Sequence, residues 1–116
     1  MRASVLTLGL VLTTTPALAQ AVIAPCDAQK HVGEKVTVEG PVSDVLPAPS
    51  GRVTFIDMGG RYPNNCFSGV IFADDVGKFP NVNALDGKTV DITGAVRLYQ
   101  GRAEIILNDP AQVKAK

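Results

Sequence analysis

Apolar and polar residues alternate with a period of two along much of the chain from Lys35 onward, the mark of half-buried β-strands. Val90 and Ile92, then Val96 and Leu98 beyond Gly94, give one such run. Arg102 to Leu107 gives another, and Tyr99-Gln100-Gly101 turns the corner between them, so Leu85 to Pro110 is predicted to be a β-hairpin. A copy of its first half lies upstream. Gly33-Glu34-Lys35-Val36-Thr37-Val38-Glu39-Gly40-Pro41-Val42 and Gly87-Lys88-Thr89-Val90-Asp91-Ile92-Thr93-Gly94-Ala95-Val96 share the pattern G-x-x-V-x-[VI]-x-G-x-V. Glycine inside a strand marks a bulge or a sharp bend. Two long strands kinked at the same offset are what a small closed barrel needs at its corners.

The remaining pattern fills in around these strands. Ala24 to His31 reads as a short helix, with Pro25 in its first turn, Asp27 at its positive end and Gly33 placed to stop it. Ala28 and Val32 would share a face capping one end of the barrel. The first strand runs from Lys35 to about Leu46, then a Pro47–Gly51 loop leads to a second at Arg52–Met58. A turn over Gly59–Asn65 precedes a third, Phe67–Phe72. Ala73 to Phe79 is expected to form one or two helical turns, weakened by Gly77. Pro80–Gly87 is a loop, and the polar tail after Pro110 is expected to fray. Five strands with a helix between the third and fourth is the element order of an OB-fold, an all-β, five-stranded Greek-key barrel.

The first nineteen residues stand apart. Met1-Arg2 supplies a positive charge, Val5 to Leu12 an apolar run, and Ala17-Leu18-Ala19 a small-x-small cleavage site before Gln20. That layout predicts a signal peptide over residues 1–19 and one domain over 20–116, exported to the periplasm or secreted. The apolar run is too short to span a bilayer. At 116 residues, 46% hydrophobic and 19% charged, the chain can bury one core. Without Arg2, ten basic residues face eleven acidic ones, a charge of −1. Domains that grip nucleic acid through phosphate normally carry a cationic excess, which is missing. In an exporting context Cys26 and Cys66 read as a disulfide, with independent buried thiols or a reactive pair as the alternatives, the redox reading being the weaker because neither lies in a C-x-x-C motif.

The chain resembles the OB-fold nucleic-acid-binding families, in particular small exported bacterial OB domains that also occur attached to secreted nucleases. The matching residues are Val36 to Val42, Gly51 to Gly59 and, most distinctively, Leu98-Tyr99-Gln100-Gly101-Arg102-Ala103-Glu104-Ile105-Ile106-Leu107-Asn108-Asp109-Pro110. The Val53-Thr54-Phe55-Ile56-Asp57 run is also similar to the second strand of anticodon-binding OB domains, where the phenylalanine matching Phe55 stacks on a base. The resemblance implies a non-catalytic module for single-stranded nucleic acid, since the nuclease relatives keep catalysis in a separate domain.

Residue chemistry leads to the same face. With Ile56 and Met58 inward, Val53, Phe55 and Asp57 point outward. OB-folds bind on that face, between the loops joining strands one to two and four to five. The candidate ligand residues are therefore Arg52, Phe55, Asp57, Arg97, Tyr99 and Arg102. Each has a plainer reading. A one-residue register slip puts Phe55 in the core. Independently of it, Arg97 and Arg102 read as ordinary solvated charges flanking a hairpin loop, and Tyr99 as a ring packed on the barrel end with its hydroxyl in water. Arg61 and Tyr62 either frame the groove or are simply exposed in a loop. His31, the single histidine, suits a helix end better than catalysis. No H-E-x-x-H, zinc-finger cysteine spacing or phosphate-cradling glycine loop occurs, so neither enzyme activity nor a metal or cofactor is expected. The competing expectation is an exported OB domain for a protein or saccharide partner, or a structural one.

Overall fold

The computed structural model describes residues 21–116, and the expected leader lies outside the described residues. The strands are β1 (Val22–Ile23), β2 (Lys35–Pro47), β3 (Val53–Met58), β4 (Phe67–Phe72), β5 (Thr89–Ala95), β6 (Arg97–Tyr99), β7 (Arg102–Ile106) and β8 (Val113–Ala115). One α-helical turn, α1 (Ala73–Val76), follows β4.

The two G-x-x-V copies pair with each other. In the antiparallel β2–β5 ladder Val38 faces Ile92, Val36 faces Gly94, and Gly40 faces Val90. The ends close in the same reciprocal way. Gly33 N–H donates to the Val96 carbonyl at 2.8 Å, and Gly87 N–H donates to the Val42 carbonyl at 3.0 Å. Gly33 and Gly87 have φ of +85° and +79°, a region glycine enters without strain. The inner glycines serve another need, close approach. A Cβ on Gly40 would meet Pro25 Cγ at 2.9 Å, and one on Gly94 would meet Ile105 Cγ2 at 2.5 Å.

The sheet contains eight strands in the order β6-β7-β4-β3-β2-β5-β8, with β1 parallel to β2. This is an open ladder and not the expected five-stranded closed barrel. Two features of the chain explain the difference. The anticipated fourth strand breaks at buried Val96, so its first part pairs with β2 and its last three residues with β7. The free edge of β5 is then taken by β8, so no hydrogen-bonded partner is left to close the ring there.

That β8 pairing also corrects the expectation of a frayed tail. Asp109 and Gln112 form a reciprocal cap on the 3-10 turn Pro110–Gln112. Lys116, the residue after β8, reaches across β5 to β2, its Nζ 2.9 Å from Glu39 Oε2.

The N-terminal segment Pro25–His31 is a 3-10 helix, whose three-residue repeat aligns Pro25 with Ala28. Both are buried, whereas Val32 is 43% exposed and does not share the capping role given to it from α-helical spacing. α1 stops at Val76 and does not continue to Phe79, Gly77 being its C-cap. The core inside the curled sheet is built from Val36, Val38, Ile56, Met58, Phe67, Ile71, Val90, Ile92, Ile105 and Leu107. Cys26 and Cys66 form a disulfide.

Candidate functional site

Ile56 and Met58 face the core, so Val53, Phe55 and Asp57 lie on the outer face of β3. Strand register then builds a polar row across that face. Asp44 pairs with Asp57, Asp57 with Ser68, Ser68 with Glu104, and Glu104 with Arg97. The middle of the row is out of water, with Asp57 1%, Ser68 2% and Glu104 4% exposed. Asp57 Oδ1 accepts from Ser68 Oγ at 2.8 Å and from Asn65 Nδ2 at 3.2 Å, while its Oδ2 is buried without a partner. Burial pushes the Asp57 carboxyl above its ordinary value of 3.8. The Ser68 bond pulls it back down, the neighbouring Asp44 pushes it up, and Arg102 pulls it down. Glu104 Oε1 accepts from Arg97 Nε at 2.7 Å and lies 2.6 Å from Arg97 Nη2, a charge-assisted pair on a largely buried carboxylate.

A cleft of about 280 Å³ opens above this row, near the lower end of the ~300–1,000 Å³ usual for small-ligand sites. Leu46, Ala48 and Pro49 close it on the side of the β2–β3 loop, and Tyr99, Gln100 and Arg102 on the side of the β6–β7 turn. Phe55, Asp57, Ser68 and Glu104 lie along it, and Tyr62 reaches in from the loop before β4. The β6–β7 turn places Gln100 and Gly101 at φ of +51° and +77°, the geometry of a tight type I′ hairpin. The tyrosines are exposed, Tyr62 by 60% and Tyr99 by 55%, and each is flanked by an arginine. Arg102 Cζ sits 5.3 Å from the Tyr62 ring centroid, and Arg97 Cζ 5.8 Å from that of Tyr99. Arg102 also donates from Nη2 to the Pro63 carbonyl at 3.0 Å.

The cleft brings together four of the residues expected from sequence, Phe55, Asp57, Tyr99 and Arg102. Arg97 lies in an adjoining hollow beside Val53, Phe55, Val70 and Phe72, tied to Glu104. Arg52 lines neither. Sequence reasoning missed Ser68 and Glu104. The signal for Glu104 was a charged residue flanked by Ala103 and Ile105 in an apolar run, which marks the outward side of a strand but not its burial. His31 ends the N-terminal 3-10 helix with Nδ1 3.4 Å from Glu34 Oε1 and lines neither the cleft nor the adjoining hollow. Among the described residues no cluster of three histidine, cysteine or acidic side chains could hold a metal ion.

No protein-family model and no curated protein matches the chain. Solved structures do. A candidate aspartyl-tRNA synthetase from Leishmania major Friedlin superposes with a TM-score of 0.56 at 11% identity, over 90% of this chain and 22% of that one. Asparaginyl-tRNA synthetase from Pyrococcus horikoshii gives 0.52 at 18% identity, over 83% of this chain and 22% of that one. An OBody, AM1L10, bound to hen egg-white lysozyme gives 0.54 at 22% identity, over 75% of this chain and 83% of that one. The class defined by these likenesses is the OB-type β-module. The chain spans about a fifth of the length of the synthetases it matches, so what it shares with them is a fold.

Proposed function

We propose that this chain is an exported, non-catalytic OB-type module that binds single-stranded nucleic acid through its bases. The observation carrying the reading is the three-ring cleft of Phe55, Tyr62 and Tyr99, set between two loops on the outer sheet face. Stacking on aromatic rings contributes ~1–3 kcal/mol per base and tolerates any sequence. The synthetase structures support a nucleic-acid role at the level of the module. Export is supported by the Cys26–Cys66 bridge. No helix among the described residues is long and apolar enough to cross a membrane, which fits the same reading.

The electrostatics shape what binding should look like. Arg97 is already paired with Glu104, which leaves Arg102 as the cleft's one arginine outside an ion pair. With one or two phosphates neutralised, the slope of log affinity against log salt should be about −1, since single strands give about −0.7 per phosphate. Fluorescence anisotropy with a mixed single-stranded oligonucleotide at two salt concentrations tests this. The expected result is binding with that shallow slope, weakened about tenfold by Phe55→Ala or Tyr99→Ala. Absence of any shift, or binding indifferent to both truncations, overturns the proposal.

A second reading has its own support. The same face carries exposed Phe72 and Tyr99 beside the cleft, and the OBody neighbour is one bound to a protein. A protein partner on this face would be indicated by a stoichiometric complex recovered from periplasmic extract when oligonucleotides fail to bind.

A further inference from the structure

We propose that the cleft is a slot for a base with hydrogen-bond donors side by side on its edge, guanine in particular, and is not a phosphate site. The inference rests on the nucleic-acid reading above and names the part of the ligand that enters. Its ground is the row beneath the rings. The row carries three carboxylates, Asp44 on β2, Asp57 on β3 and, beyond Ser68 on β4, Glu104 on β7, against Arg97 and Arg102; of these Asp57 and Glu104 line the cleft. Arg97 is committed to Glu104, and Arg102 is held at the rim by the Pro63 carbonyl and the Tyr62 ring.

A phosphate lowered onto that floor would meet carboxylates in a poorly solvated setting, where like charges repel strongly. A donor finds the opposite. Asp57 is 1% exposed, its Oδ1 is already used by Ser68 and Asn65, and its Oδ2 has no partner. A buried acceptor left without a donor is costly, and a ligand donor would offset that cost as the row adjusts to it. Ser68 donates its hydroxyl proton to Asp57, so the floor has little left with which to satisfy a ligand acceptor.

The bases differ in what they present to such a floor. Guanine offers N1–H and the N2 amino group as neighbours. Adenine and cytosine offer one amino group beside a ring-nitrogen acceptor. Thymine and uracil offer one N–H between two carbonyl oxygens, which would face the carboxylates. A base stacked among Phe55, Tyr62 and Tyr99 is therefore selected by its edge, and guanine fits best.

The test is a set of short thymidine oligonucleotides, identical except at the centre, titrated against the oxidised chain by fluorescence anisotropy. The centre is thymine, guanine, or hypoxanthine, which is guanine without the N2 amino group. The expected order is guanine tightest, about tenfold over thymine, with hypoxanthine between them. In Asp57→Asn and Glu104→Gln the guanine-to-thymine ratio is expected to fall towards one. The ligand series needs no variant, so a misfolded mutant cannot mask the result. Equal affinities for the three, or tighter binding of the all-thymidine strand, overturn the guanine assignment and leave base stacking standing. If none of the strands binds, the nucleic-acid reading fails and this inference with it.

Discussion

Asp57 concentrates the tension of the site in one side chain. Its carboxyl sits on the outer face of a strand yet is excluded from water, with one oxygen bonded twice and the other not at all. Burial raises its protonation point above 3.8, so the folded chain holds that proton more tightly than the unfolded chain does. The sign of the linkage follows. The contribution of Asp57 to stability is largest below the unfolded value and declines as pH rises through the folded one. Asp57→Asn cannot titrate. The difference in unfolding free energy, wild type minus variant, is therefore expected to fall between pH 3.8 and neutrality in urea titrations. A difference that stays flat, or rises, over that range would show that the Ser68 and Asn65 bonds dominate over burial.

At the level of elements, the paired β2 and β5 carry most of the architecture, and their inner glycines are where they are most sensitive. Gly94 lies against β7, and an added methyl would come within 2.5 Å of Ile105 Cγ2. Gly94→Ala is expected to cost about 1–3 kcal/mol, as overpacking of a tight core does. Trimming the facing side chain should restore room. In a double-mutant cycle with Ile105→Ala the combined loss is expected to fall short of the sum of the single losses by at least ~0.5 kcal/mol. Strict additivity in urea unfolding would mean that the glycine is needed for its backbone and not for space. The repeat that carries Gly94 was legible in the sequence because hydrophobic period and glycine offset are both local properties. So were β3, β4, the Tyr99–Gly101 corner and the outward direction of Phe55. What escaped was partner choice. Nothing in Thr89–Tyr99 announces that the strand changes neighbours at Val96, and Val113–Ala115 is too short to read as a strand. The site divided in the same way. Aromatic and basic residues near the loops could be named, but the row from Asp44 to Arg97 exists only once register aligns residues from five strands.

The whole molecule depends on how its cleft-forming loop is held, because Tyr62 and Asn65 both belong to the segment between β3 and β4. Hydrogen bonds hold that segment at Gly60 (N–H to Ser43 Oγ), at Asn65 (Nδ2 to Asp57 and Ser68) and at Pro63, whose carbonyl accepts from Arg102. The disulfide adds a covalent tether, joining Cys66 to the N-terminal 3-10 helix. Gly59 shows how closely the bridge is packed, since a Cβ there would lie 2.9 Å from Cys66 Cβ and 3.0 Å from Cys26 Sγ. For cysteines 40 residues apart, the chain-entropy model assigns the bridge about 4 kcal/mol. That is a large share of the ~5–15 kcal/mol of a typical domain. The sheet does not itself require the bridge, because its ladders and the buried residues of β2, β5 and β7 lie elsewhere. Reduction is therefore expected to lower the free energy of unfolding by about 4 kcal/mol in urea while leaving the far-ultraviolet circular dichroism of the folded chain unchanged. Oligonucleotide affinity should fall in the reduced protein even where it remains folded, because the loop that carries Tyr62 and Asn65 then keeps only its hydrogen bonds and loses its covalent tether. A Cys26→Ala/Cys66→Ala chain should match the reduced wild type in both respects. If reduced and oxidised forms unfold at the same urea concentration, the bridge is an ornament of an already rigid loop, and the cleft owes its shape to the loop's hydrogen bonds, those of Asn65 and Arg102 among them.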